Sequence, residues 1–295
     1  MHLSAPHTAD LRQPIAWDEC ACLLCGGARH TPILEAVDSL GEMRFLIVRC
    51  ERCGLAFTNP RPDRDSIDRF YPDDYACHRI ERQPLAKRDG SVALPKHGLA
   101  RLLDFGCGSG AFLARMNAQG WNVVGLDRSE NAVKRVREHF GLTAHVGSLP
   151  SPYWTSNCFE AVTMWQSLEH VHDPLGVLRA AYRLLTPGGR LLVAVPNVDG
   201  WAARWFGAHW YGLDLPRHLT HFTPTTLHLM LTLAGFARID MRQERKSSWI
   251  RHSAGMTPPG DWMARAMRTR FGSGLAGWAA LAFNAAESIF AVATK

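Results

Sequence analysis

Between Arg101 and Ala118 a short apolar run, Arg101-Leu-Leu-Asp-Phe105, gives way to glycines at every second position, Gly106, Gly108 and Gly110, and then to a helical pattern. A strand that turns this tightly into a helix belongs to a parallel sheet, whose neighbouring strands can be joined only by a crossover. The alternation continues downstream. Strands are expected at 101–105, 122–126, 160–165 and 190–195, and helices at about 110–118, 129–139 and 174–185. Thr186-Pro-Gly-Gly189 is expected to close the last helix. The fold class is therefore α/β, a doubly wound Rossmann-like sheet. At 295 residues, 46% hydrophobic and 20% charged, the chain can bury one large domain and a small companion, which excludes wholesale disorder.

The glycines allow a tight turn and close approach of a ligand to the backbone. Gly106, Gly108 and Ala111 also satisfy a dinucleotide pattern. Asp104 argues against that ligand, because a carboxylate two places before Gly106 repels a pyrophosphate and welcomes a cation. Asp127 ends Val123-Val-Gly-Leu-Asp127, where it can accept from two ribose hydroxyls.

With Leu103-Asp-Phe-Gly-Cys-Gly-Ser-Gly110, Gly125-Leu-Asp127, Trp165-Gln-Ser-Leu-Glu-His170 and Leu185-Thr-Pro-Gly-Gly-Arg190, the sequence resembles class I S-adenosylmethionine-dependent methyltransferases over about residues 99–240. The resemblance implies S-adenosyl-L-methionine as cofactor. Asp104, Gly106, Gly108 and Gly110 would hold its methionine end and Asp127 its ribose. Ser148, after Gly147, would line the adenine, and Trp165 is placed in the same pocket. Ala237–Arg242 and Ser288–Thr294 would be the closing strands of a seven-stranded sheet. Between them lie helices at 261–271 and 275–286, split at Gly272-Ser-Gly274, in an insertion spanning 251–286.

Methyl transfer is an in-line displacement, so candidates for chemistry sit at strand ends facing the cofactor. Glu169 and His170 follow the 160–165 strand, with His170 the first choice as base. The related quinone O-methyltransferases carry Glu-x-x-Glu-His here and imply a divalent metal. This chain has Gln166 in place of the first carboxylate. A second cluster, Arg217-His218-Leu-Thr-His221, offers His218 and His221 to the substrate and Arg217 as an anion clamp. With no carboxylates assigned near them, these histidines are not read as metal ligands. Three tryptophans, Trp201, Trp205 and Trp210, mark an aromatic cap over 201–224, either packed on the sheet or forming a lid.

Eight cysteines occur, and two C-x2-C pairs stand out, Cys22/Cys25 and Cys50/Cys53, each followed by glycine. Two such turns complete a tetrahedral thiolate shell, so Cys22, Cys25, Cys50 and Cys53 are expected to bind a structural zinc, with Cys20 near enough to exchange for Cys22. A ribbon before a methyltransferase domain resembles sugar C-methyltransferases and relatives in envelope-polysaccharide pathways. In the sugar enzymes a tyrosine just beyond the ribbon approaches the substrate, and Tyr71 or Tyr75 stands at the comparable place. The domain reading is a flexible N-terminus 1–19, a zinc-ribbon-like unit 20–60, a linker or helical cap segment 61–98, and the methyltransferase domain 99–295.

The net positive excess sits in residues 201–295, where 11 Lys and Arg face 5 Asp and Glu. That field favours anionic partners. Arg265, Arg268 and Arg270 with Trp262 are compatible with peripheral contact to an acidic membrane, and no transmembrane span is expected. The amino-terminal residues carry no secretory pattern, which points to the cytoplasm. The expected function is methyl transfer to a small-molecule, sugar or lipid-linked acceptor, in envelope-polysaccharide or secondary-metabolite synthesis. The alternatives are an RNA methyltransferase reading through the ribbon, which the net −1 of residues 1–98 disfavours, and a non-catalytic cofactor-binding scaffold.

Overall fold

The computed structural model describes residues 14–38, 43–71, 100–258 and 260–295. Tyr75, the first thirteen residues and most of the expected linker lie outside the described residues.

The N-terminal unit comprises β1 (Trp17–Asp18), β2 (His30–Val37), β3 (Arg44–Cys50), β4 (Ala56–Thr58) and β5 (Arg61–Pro62). Strands β2, β3 and β4 form an antiparallel meander. The rest of the chain continues with β6 (Arg101–Phe105), α1 (Ala111–Ala118), β7 (Asn122–Asp127), α2 (Glu130–Phe140), β8 (Ala144–Val146), β9 (Phe159–Trp165), α3 (Pro174–Leu184) and β10 (Leu185–Pro196). It then runs through α4 (Trp201–Phe206), β11 (Thr220–His221), α5 (Pro224–Ala234), β12 (Arg238–Glu244), α6 (Ser247–Met256), α7 (Trp262–Met267), α8 (Arg270–Ala282) and β13 (Ser288–Thr294).

Local sequence explains the helix limits. Ser129 accepts from the Ala132 amide at the start of α2, and Gly141 ends it in a left-handed conformation. Asp173 and Pro174 open α3. Thr223 and Thr226 make a reciprocal capping box for α5. The buried positions of α3, Val177, Leu178, Ala181 and Leu184, recur at helical spacing and pack on the sheet.

The large sheet has the order β12-β13-β10-β9-β6-β7-β8. Only β13 runs against the others, antiparallel to both β10 and β12. The direction of winding reverses between β6 and β9, so a crevice opens there at the carboxyl ends, the usual ligand position in such sheets. Two details differ from expectation. Thr186-Pro-Gly-Gly189 does not form a separate turn but lies within β10, where the pairing with β9 shifts register between Leu185 and Arg190. The C-terminal insertion holds three helices rather than two, and α8 runs through Gly272-Ser-Gly274 because Thr269 caps it upstream by accepting from the Gly272 amide.

The ribbon is not an appendage. β11, from the loop after α4, pairs antiparallel with β4 and makes the ribbon sheet four-stranded. Cys22, Leu24, Val48, Leu55 and Phe57 of the ribbon share one apolar core with Leu103, Val162, Leu168 and Phe222. The opposite ribbon face, with Phe45, Ile47 and Phe70, packs on α4, Trp210 and α6. The aromatic cap therefore packs on the ribbon rather than on the large sheet: Trp210 and Phe206 are buried there and Trp201 stacks on Trp205. Arg61, buried in β5, bonds Asp18 and the His172 carbonyl and closes the junction.

Candidate functional site

The loop from β6 into α1 needs its glycines. Gly106 sits at φ +75°, and a Cβ there would stand 2.6 Å from Ser167 Cβ, so the loop lies directly against the segment that follows β9. Gly110, at φ +78°, starts α1 without a side-chain cap. Asp127, at the tip of β7, is held by its neighbours, accepting from the Gly108 amide at 2.9 Å and the Ser129 amide at 2.9 Å. Gly147, just before the half-buried Ser148, donates to the Asp127 carbonyl at 2.8 Å, bringing that loop to the same rim.

Asp104 lies beneath this rim, 2% exposed, with Oδ1 accepting from the Thr163 hydroxyl at 2.6 Å. Burial pushes its carboxyl up to about 8. A buried acid in that state is neutral near pH 7 and would ionise only against a cationic group. Trp165 stands at the end of β9, stacked at 5.8 Å on Phe290 and edge-on to Phe112. Gln166 adopts φ +50°, uncommon for a residue with a Cβ, and reaches Ser288 with its Nε2. Its side chain is thus directed to β13.

The next residues build a polar cluster. Glu169 is fully buried with neither carboxylate oxygen hydrogen-bonded, and burial pushes it up to about 8. His218 Nδ1 donates to the Gly212 carbonyl at 2.9 Å when neutral, which leaves Nε2 facing Glu169 Oε1 and Asp214 Oδ2, each at 3.9 Å. Donor atoms of Glu169, His170 and His218 lie within 4.8 Å of one another. The His170 Nδ1 and the Tyr71 hydroxyl are 2.8 Å apart. Burial lowers His170 to about 4 and His218 to about 3, so both imidazoles are neutral near pH 7. The sequence expectation that no carboxylate stands near His218 is corrected here: Asp214 is carried in by a left-handed turn at φ +37°, and Glu169 by the other side of the crevice.

Two further expectations are redirected. Arg217 is buried, and its guanidinium is occupied by Asp214 and the Phe70 carbonyl. It braces the loop and is not placed as an anion clamp. Burial opposes the Asp214 charge, but Arg217 and His218 outweigh it and hold that carboxyl well below the usual range. His221 lies in β11 with Nε2 3.1 Å from the Thr58 hydroxyl, which also donates to the His218 carbonyl. It fastens the loop to the ribbon, and burial lowers it to about 4. Sequence reasoning missed Thr58 and Asp214. The Asp214/Arg217 spacing was the one available signal.

In the ribbon, Cys22, Cys25, Cys50 and Cys53 converge, with sulfurs 3.4 Å apart for Cys22 and Cys53 and 3.6 Å for Cys25 and Cys50. Thiolates about 2.3 Å from a tetrahedral ion stand about 3.8 Å apart, so the set fits such an ion. The two turns match. Gly26 donates to the Cys22 carbonyl and Gly54 to the Cys50 carbonyl, each glycine having positive φ. Cys20 is outside the cluster, its amide tied to Asn59.

A family model described as a methyltransferase domain matches residues 68–240. The chain is 34% identical over 181 residues to a ubiquinone biosynthesis O-methyltransferase of Cereibacter sphaeroides, covering 57% of this chain and 72% of that one. A protein of the same description from Xanthomonas oryzae pv. oryzae is 36% identical over 134 residues, 42% of this chain and 55% of that one. A SAM-dependent methyltransferase structure from Mesorhizobium loti superposes with TM-score 0.49 at 20% identity, over 68% of this chain and 94% of that one.

Proposed function

Because this chain belongs to the S-adenosylmethionine-dependent methyltransferases, we propose that it methylates a hydroxyl of a small-molecule, sugar or lipid-linked acceptor held between the ribbon and the carboxyl edge of the large sheet. The observation that carries this reading is the Tyr71–His170–Glu169–His218 cluster, which stands where the sheet winding reverses and adjoins the glycine loop through Ser167. The O-methyltransferase relatives favour oxygen as the accepting atom.

S-adenosylmethionine supplies an electrophilic methyl on a sulfonium. Asp104 and the Gly106–Gly110 loop would receive its methionine end, Asp127 its ribose, and Ser148 and Trp165 the rest of the pocket. Asp127 is already oriented by two amides, so little reorganisation is needed for it to accept from hydroxyls. His170, neutral and bonded to Tyr71, is suited to accept the proton an acceptor hydroxyl loses as the new bond forms.

The divalent ion implied by the quinone-enzyme resemblance has a donor set that fits: the unpartnered carboxylate of Glu169 with His170 and His218, the latter already oriented by its Nδ1 bond. Such an ion would polarise an acceptor oxygen, and His170, with Nδ1 bonded to Tyr71 and its other nitrogen a ligand, would then hold the ion instead of taking the proton. His218 would then stand in for the carboxylate replaced by Gln166. Zinc in the four-cysteine shell would have a structural part, fixing the strand to which β11 and the His218 loop are paired.

The test is transfer of a radiolabelled methyl group from S-adenosylmethionine into host extract, fractionated into polar, lipid, RNA and protein material. Label in polar or lipid fractions is expected, including envelope-polysaccharide precursors. Nuclease-sensitive label would replace this reading with an RNA methyltransferase, and absence of transfer would favour a binding scaffold.

A further inference from the structure

α8 is built with its small residues inward. Its buried positions are Ser273, Gly277 and Ala280. A Cβ on Gly277 would stand 2.7 Å from the Arg245 side chain, so the small face is what allows α8 to lie close to its neighbours. The outward stripe carries the bulk: Phe271 is 83% exposed, Leu275 63% and Trp278 55%, spaced four and three apart. Phe283, just past the helix, is 84% exposed. Lone exposed apolar residues are ordinary, but a helical stripe of them facing water marks an interaction surface.

The charge beside the stripe selects the partner. Residues 262–286 contain Arg265, Arg268 and Arg270 and no Asp or Glu. Arg268 is turned onto the Ala254 and Thr257 carbonyls, while Arg265 and Arg270 stand exposed. Asp261, at the edge of the strip, is spent capping α7 through the Met263 and Ala264 amides, so a second copy docked by a two-fold axis would bring the arginines against one another. A bilayer of acidic lipids answers both features, taking aromatic and leucine side chains at the headgroup boundary and arginines at phosphates. Thirteen residues of α-helix reach only about 20 Å, short of the roughly 30 Å hydrocarbon layer. No helix among the described residues is long and apolar enough to cross. The geometry is that of a helix lying in the interface plane.

We propose that the Phe271–Leu275–Trp278 face of α8, with Arg265 and Arg270, docks this protein on the surface of an anionic lipid bilayer. The same helical layer reaches the site, since α6 meets the loop leading to His218 through the bond from the Tyr211 amide to Ser253 and the Tyr211–His252 ring contact. An acceptor carried on a lipid would thus be met at the membrane.

The test is co-sedimentation of the full chain with phosphatidylcholine vesicles and with phosphatidylcholine–phosphatidylglycerol vesicles, with S-adenosylmethionine affinity measured in parallel. Wild type should partition onto the phosphatidylglycerol vesicles, and added salt should release it. Phe271→Ser with Leu275→Ser, and separately Arg265→Gln with Arg270→Gln, should each cut the partition about tenfold or more while cofactor affinity is retained. The idea is overturned if wild type stays in the supernatant, if both vesicle types bind equally and the arginine variant changes nothing, or if light scattering shows a dimer that the Phe271→Ser/Leu275→Ser variant dissolves. Failure here leaves the methyl-transfer reading intact, because cofactor binding is read independently.

Discussion

Replacing Asp104 by Asn separates what a buried carboxylate costs the fold from what it contributes to cofactor binding. The side chain is 2% exposed and accepts one bond from Thr163, and burial moves it from 3.8 to about 8. Asn keeps the shape and an oxygen for Thr163 but cannot ionise. A group raised on folding gives stability that is complete below its unfolded value and is lost as pH climbs through its folded value. At about 1.36 kcal/mol per unit, that span sets a ceiling of about 5 to 6 kcal/mol on the loss. With each kcal/mol worth about 2 to 4 °C in a protein of this size class, a third of the ceiling is plainly visible in a melt. The Asp104→Asn protein should therefore gain on wild type progressively as pH rises from about 5 to about 8.5. In the proposed placement the cofactor reverses the balance. Its cationic methionine end favours the carboxylate, so binding at neutral pH should expel a proton, and the calorimetric enthalpy should differ between phosphate and Tris buffers for wild type but not for the variant. The variant should bind about tenfold more weakly or worse, because a charge-assisted contact of about 1.5 to 3 kcal/mol is lost. Melting curves that keep a constant separation across this pH range, together with a buffer-independent enthalpy in wild type, would refute the assignment of a protonated acid beneath the cofactor loop.

Three other outcomes follow from the geometry. Asp127→Ala should weaken cofactor binding about tenfold or more, since it removes a charged acceptor and frees the Gly108 and Ser129 amides; unchanged affinity by calorimetry would reject its ribose role. Cys50→Ser should lower zinc content by elemental analysis and, because β4 carries β11, should also reduce turnover; full metal retention would count against the four-cysteine set. His170→Ala should cut turnover by about a hundredfold or more with cofactor affinity preserved, and wild-type turnover would remove it from the mechanism.

The strand, glycine loop and helix around Asp104 were legible because their signals are local. The glycine loop, Asp104 and Asp127 fall within one β-α-β unit, and each strand there has an apolar core that pairs in parallel. The Glu169, His170 and His218 cluster is assembled from distant pieces. Glu169 and His218 come together only because the Leu219 amide bonds the Glu169 carbonyl and β11 zips onto β4. A two-residue strand has no periodicity to read. Tyr71 could be named as a candidate, but not its bond to His170, which spans 99 residues. The glycines of α8 misled for a different reason. Gly272 and Gly274 suggest a break, yet the Thr269 cap and tertiary packing outweigh their low propensity, and Gly277, further along, serves a close helix approach.

The pairing of β4 with β11 also sets an order of events during synthesis. The ribbon strands emerge early, but Thr58 must wait for His221, 163 residues later, before its edge is covered. At bacterial or eukaryotic elongation rates that interval is roughly 10 to 30 s. Throughout it a short apolar strand edge is open to pairing with another nascent chain. An ion captured by Cys22, Cys25, Cys50 and Cys53 would hold the half-made sheet in register for that interval, so scarcity of zinc in the growth medium should show first as poor yield of soluble newly made protein, before any loss of turnover in molecules already folded.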